Sequence, residues 1–123
     1  MGAIKFNARS AFDALGAGAG KPVPAPLGTP VSQVRSVSHP SLTTPATRSG
    51  VWECTPGRWR RQITQAEFCH FIEGDCTFEP DDGEPIDIAA GDVIYFPQNS
   101  TGVWDVRETS RKIFVLFNEG TAA

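Results

Sequence analysis

An all-β fold, a small antiparallel β-barrel with an extended N-terminal arm, is predicted by three features of this 123-residue sequence. From Gly50 onward, short apolar or alternating runs are separated by turn residues, the texture of a sandwich or barrel. No stretch carries a long helical period, and no internal repeat is visible. Residues 16–48 are instead rich in Gly, Pro, Ser and Thr, a composition that cannot build a core of its own.

The elements follow in order. A short helix is expected over Ala8–Leu15, ended by Gly16. Val51–Thr55 reads as a strand stopped by Pro56-Gly57, and Arg58–Ile63 as a second. Glu67–Glu73 is a third, after which Gly74-Asp75 is expected to turn the chain. Cys76–Glu79 runs into Pro80-Asp81-Asp82-Gly83, where Asp-Gly favours a tight hairpin, and Pro85–Ile88 returns. Asp92–Phe96 is ended by Pro97, and Thr101–Val106 and Arg111–Phe117 complete the set. The implied organisation is an arm over 1–48, a barrel over 49–118 and a tail over 119–123. Ordering such an arm costs much conformational entropy, so it is expected to lie across the barrel or a neighbouring chain.

Composition narrows the function classes. The chain is 40% hydrophobic and 20% charged, ordinary for one globular domain with one core. No apolar run approaches the roughly 18 residues that span a bilayer. The first twenty residues lack the unbroken apolar core of a secretory signal, and Phe6 stands where lipidation of Gly2 wants Ser or Thr. A cytoplasmic protein is expected, without membrane partners. Cys54, Cys69 and Cys76 match no zinc spacing and read as small buried residues in a reducing compartment. The net charge of −3 is divided unevenly: residues 1–50 carry +4 and residues 51–123 carry −7. An acidic body argues against nucleic acid, whose phosphates need a cationic surface. The basic arm suits docking on that body or on a partner subunit.

Gly91 and Pro97 bracket the strand Asp92–Phe96 with five residues between them, and six residues separate Glu67 from Gly74. These spacings resemble the two motifs of the cupin superfamily, which implies the double-stranded β-helix, or RmlC-like jelly roll. More narrowly, Ser49-Gly50-Val51-Trp52-Glu53, Thr55-Pro56-Gly57, Glu67-Phe68, Thr101-Gly102-Val103-Trp104-Asp105-Val106 and Arg111-Lys112 resemble the subfamily of (S)-ureidoglycine aminohydrolase and the ethanolamine-utilisation cupin. The likeness covers residues 49–117 and bears on fold more than on activity.

A metal-binding cupin would place two histidines before the glutamate and one after the proline. Here the first two positions fall on Arg60 and Gln62, or on Arg61 and Ile63 if the turn is shorter, and the third falls on Gly102. Arginine does not deprotonate to ligate a metal, and glycine offers no side chain. No cofactor is therefore predicted, a divalent metal is not expected at the usual site, and the aminohydrolase chemistry, which the resemblance ties to a metal, is not carried over.

Strand alternation places Glu67, Cys69 and Phe71 on one face, with Phe68 and His70 on the other. A pocket of mixed character is predicted from Arg60, Gln62, Cys69 and Trp104 as ligand-binding residues, with Glu67 as a candidate general base. Glu67 and Arg60 equally suit an internal ion pair. His70 suits a surface or subunit contact, Cys69 lacks a partner base other than Glu67, and the acids Asp81, Asp82, Glu84 and Asp87 read as a solvated turn. Three readings stay open: a metal-free cupin binding a polar metabolite, a hydrolase, lyase or isomerase using Glu67, and a non-catalytic regulatory or structural cupin with a filled barrel. A homodimer is expected, because a sheet edge and the arm both call for cover.

Overall fold

A computed structural model describes residues 2–16, 20–39 and 46–119. The elements are α1 (Ala8–Asp13), β1 (Lys21–Pro22), β2 (Gln33–Ser38), β3 (Thr47–Cys54), β4 (Gly57–Ile63), β5 (Ala66–Pro80), β6 (Ile86–Ala89), β7 (Val93–Phe96) and β8 (Ser100–Phe117). The strands form one eight-stranded antiparallel sheet folded on itself, in the order β1-β2-β3-β8-β5-β6, with β4 on β8 and β7 on β5. Of the expected C-terminal tail, residues 120–123 lie outside the described residues, as do residues 1, 17–19 and 40–45 of the expected arm.

Two long strands build the barrel. The first part of β5 pairs with the last part of β8, from Ala66↔Phe117 to Glu73↔Arg111, and the remainder runs from Asp75↔Glu108 to Pro80↔Gly102. Strand β3 pairs with the last part of β8 and β4 with its first part, so each long strand serves both layers. The two short strands expected over Glu67–Glu73 and Cys76–Glu79 are therefore one, and so are those over Thr101–Val106 and Arg111–Phe117.

Gly74-Asp75 does not turn the chain back. It lies among register shifts between Phe71 and Cys76 that bend β5 from one layer into the other, the ordinary work of β-bulges. Gly74 has φ +114°, and a Cβ there would collide with the Ser110 side chain and lie 2.5 Å from the Ser110 Cα. Gly74→Ala is expected to cost about 1–3 kcal/mol, read as a lowered urea midpoint.

The arm contributes to the barrel. β2 extends the edge of β3 from Val34↔Cys54 to Ser38↔Gly50. Residues 25–27 run along β4, with Leu27 N donating to Arg58 O at 2.8 Å and Arg60 N to Ala25 O at 3.0 Å. Val23 enters the core, and α1, capped by the Asn7 side chain on Ser10 N, buries Phe12. Arg35 of β2 pairs with Glu53 at 2.7 Å, so a basic residue of the arm meets the acidic body. No helix among the described residues is long and apolar enough to cross a membrane.

Candidate functional site

Strand parity decides what the barrel contains. Along β4 the residues alternate between buried Gly57, Trp59 and Arg61 and exposed Arg58, Arg60 and Gln62. Ile63 and Ala66 are separated only by Thr64-Gln65, the shorter of the two turns the sequence allows. Along β5 the inward set is Glu67, Cys69 and Phe71, and along the last part of β8 it is Ser110, Lys112, Phe114 and Leu116. Arg61, Glu67 and Lys112 thus meet inside, each 3% exposed or less.

The three side chains form a charged bridge between the layers. Arg61 Nη2 lies 2.6 Å from Glu67 Oε1, and Lys112 Nζ lies 2.9 Å from Glu67 Oε2. Aromatic faces surround both cations. The Arg61 guanidinium sits 4.1 Å from the Phe96 ring centroid, and Lys112 Nζ sits 4.3 Å from that of Trp52 and 5.4 Å from that of Trp104. Such contacts favour a cation most where water is excluded. Arg61 Nη1 is buried and has no hydrogen-bond acceptor.

Burial alone would raise the Glu67 carboxyl, but Lys112 and Arg61 outweigh it and hold the group below the usual carboxylate range. Burial lowers the Arg61 guanidinium, and Glu67 opposes that shift. Burial also pushes the Cys54 and Cys69 thiols up to about 11 and raises Cys76, so all three are neutral thiols at pH 7. All three cysteines are free and buried.

Two of the predicted pocket residues stand elsewhere. Arg60 and Gln62 point outward, because the short Thr64-Gln65 turn reverses the parity assumed for β4. Arg60 pairs with Asp81 at 2.7 Å on the surface, and its place inside is taken by Arg61. The ion pair anticipated between Glu67 and Arg60 is accordingly formed with Arg61. Glu67, Cys69 and Trp104 face the interior, with Trp104 packed among Trp52, Phe71, Phe78 and Phe96 at centroid distances of 5.0–6.1 Å. Lys112 was not foreseen as a site residue. Its signal is period-two alternation along β8, which gives Lys112 the same face as Phe114 and Leu116.

These residues do not fit a divalent metal at the usual cupin site. Both Glu67 oxygens are engaged by cations, and another cation beside them would meet repulsion from Arg61 and Lys112. At Gly102, a Cβ would overlap the Glu79 carbonyl and come within 2.6 Å of the Phe78 ring, so no ligating side chain fits there. Gly102 is the cross-strand partner of Arg61, whose guanidinium stacks on Phe96. Among the described residues, no group of three His, Cys, Asp or Glu side chains is arranged to hold a metal.

At the surface, a cleft of about 260 Å³ is lined by residues that include Phe78, Phe96, Asn99 and Thr101. Phe78 and Phe96 also flank the Arg61 guanidinium, so they are shared by the cleft and the charged cluster. Among lining residues, Asn99 has φ +61°, in the left-handed region, where asparagine is among the more tolerant side chains.

Comparison with known proteins agrees with this architecture. No curated protein sequence matches the chain. The EutQ protein of Clostridium difficile is similar in structure, with a TM-score of 0.60, 18% identity and coverage of 76% of each chain. A DUF861 family protein from Thermotoga maritima is 30% identical, with a TM-score of 0.53, over 55% of this chain and 76% of that one. A protein of unknown function from Rhizobium leguminosarum gives a TM-score of 0.68 at 16% identity, covering 97% of this chain and 100% of that one. The model of the EutQ-like cupin domain matches residues 44–114, and with the jelly roll and its two motif strands in place, the chain belongs to the EutQ-like cupin family.

Proposed function

We propose that this chain is a cupin that binds a small polar molecule inside its barrel, at Arg61, Glu67 and Lys112, without a divalent metal. The observation that carries the reading is the buried Nη1 of Arg61, a donor without an acceptor in an otherwise paired cluster. Buried donors are rarely left unmade, and a partner from outside the chain would satisfy this one. Cys69 and Trp104 contribute neutral walls, and the surface cleft shares Phe78 and Phe96 with the cluster. Arg60 and Gln62, on the outer face, have no part in it. Elemental analysis of the purified protein together with a crystal structure at high resolution tests the reading. We expect far less than one equivalent of transition metal and non-protein density against Arg61 Nη1. A stoichiometric transition ion on Glu67 would reject it.

The reading gives Glu67 a structural and electrostatic role. A general base works best with a pKa near the operating pH, whereas Lys112 and Arg61 move this carboxyl downward. For the same reason ureidoglycine aminohydrolase chemistry is not assigned. The free cysteines suit a reducing compartment, in keeping with a cytoplasmic location.

The functional unit proposed is a homodimer. On the outer face of β5 and β7, Phe68 pairs across from Tyr95 and His70 from Val93. Phe68, Val93 and Tyr95 are each about half exposed, at 49%, 53% and 51%. Val115 and Ile113 of β8 continue the row opposite Phe68 and His70. A contiguous apolar row of this kind marks an interaction surface. Light scattering is expected to give twice the 13.3 kDa chain mass, and Phe68→Glu to halve it without unfolding the protein. A monomeric parent protein would reject the dimer.

A further inference from the structure

We infer that the molecule taken by the charged cluster is a small monoanion, a planar carboxylate of formate size or an inorganic equivalent. The inference deepens the binding reading above and rests on it. It follows from the charges enclosed. Arg61 and Lys112 are cations, Glu67 is the one acid paired with them, and the neighbouring thiol of Cys69 is neutral. Cys54 and Cys76, farther along the same interior, are neutral as well. Glu53, also buried, lies by strand alternation on the face of β3 opposite Trp52 and is occupied there by Arg35 and Arg111. The enclosed cluster therefore carries a net charge of +1.

A buried charge without a counter-charge is costly, and a buried donor without an acceptor adds to that cost. A neutral acceptor would satisfy Nη1 and leave the charge. A dianion would reverse the charge to −1. A monoanion settles both at once. Shape restricts it further. The guanidinium lies over the Phe96 ring, with Nη2 committed to Glu67, so the ligand meets Nη1 at the free edge of the fork. A carboxylate matches that edge in plane and in charge. Phe78, Phe96 and Trp104 pack against one another at centroid distances of 5.0–5.9 Å, and a ligand of few heavy atoms disturbs that packing least.

The test compares formate with formamide, its neutral counterpart of the same size, on the full chain at constant ionic strength held with sodium sulfate. Binding is read by NMR from the indole N–H of Trp104 and the Arg61 side-chain resonances. Formate is expected to saturate both signals and to bind at least about tenfold more tightly than formamide. Sulfate, a dianion, is expected to move neither. Lys112→Met removes one cation and leaves Nη1 in place, so it should erase the preference for formate, while Arg60→Ala on the outer face should preserve it. Equal affinity for formate and formamide in the parent protein would overturn the monoanion and leave the binding reading standing. Binding of neither would overturn both, and this comparison needs no variant to fold.

Discussion

Glu67→Ala is expected to destabilise the protein by about 3–5 kcal/mol, a large share of the roughly 5–15 kcal/mol that holds a typical domain together. The substitution leaves two enclosed cations facing each other with no carboxylate between them, in surroundings made of aromatic rings. Removing one partner of a buried pair is costly because the other charge remains, already stripped of water. A double change, Glu67→Gln with Lys112→Met, should recover much of the loss by lowering the enclosed charge to that of Arg61 alone. Urea unfolding of the single and double variants checks both statements, and a loss below about 1 kcal/mol for Glu67→Ala would show that water reaches the cluster. The pH dependence has a definite sign. The folded carboxyl titrates below its ordinary value of 4.5, so its contribution is complete above that value and is lost as pH falls through the lower folded one. In Glu67→Gln that part of the acid limb should disappear. An unchanged acid limb would mean that other carboxylates govern acid unfolding.

Trp104→Ala is expected to cost a comparable amount, about 3–5 kcal/mol, by a different route. The indole is fully buried and touches rings from both layers: Trp52, Phe71 and Phe96 in one, and Phe78 in the other. Its removal opens a void that rigid neighbouring rings cannot fill, and it takes away one of the faces against which Lys112 rests. The urea midpoint should fall with the slope unchanged, since the surface exposed on unfolding stays nearly the same. Trp104→Phe should lose markedly less. Equal losses for the two would place the energy in the indole N–H and not in packing.

Much of the barrel was legible in the sequence because its strands are short, alternating and separated by Gly and Pro. The strand Val93–Phe96 and the hairpin before it stand close to where Pro97 and Asp82-Gly83 place them. The long strands were harder to read. A bulge and a turn both recruit glycine, and local sequence does not distinguish Gly74 bending a strand from Gly74 reversing one; the answer lies in Ser110, 36 residues away. β2 was hidden for another reason. Its residues have little hydrophobicity of their own, and they pair because the edge of β3 accepts them. In the site, Glu67, Cys69 and Trp104 were placed by alternation within their own strands. Arg60 and Gln62 were misplaced because parity across a turn depends on the length of that turn. One residue more or less exchanges Arg60 for Arg61, and with it the surface for the interior. Lys112 escaped notice because a lysine in a β-strand ordinarily points to water, although alternation with Phe114 and Leu116 already gives it their face.

The threading of β5 and β8 through both layers has a consequence for how the molecule comes apart. Neither layer owns a complete set of strands, so neither can melt while the other survives. Amide protons in the middle of these two strands should therefore exchange with deuterium only through global opening, whereas those of β1 and β2 at the rim can be released by local fraying. The protein is in this respect a knot of two long ribbons with short ones laid alongside, and its cooperativity resides in the ribbons.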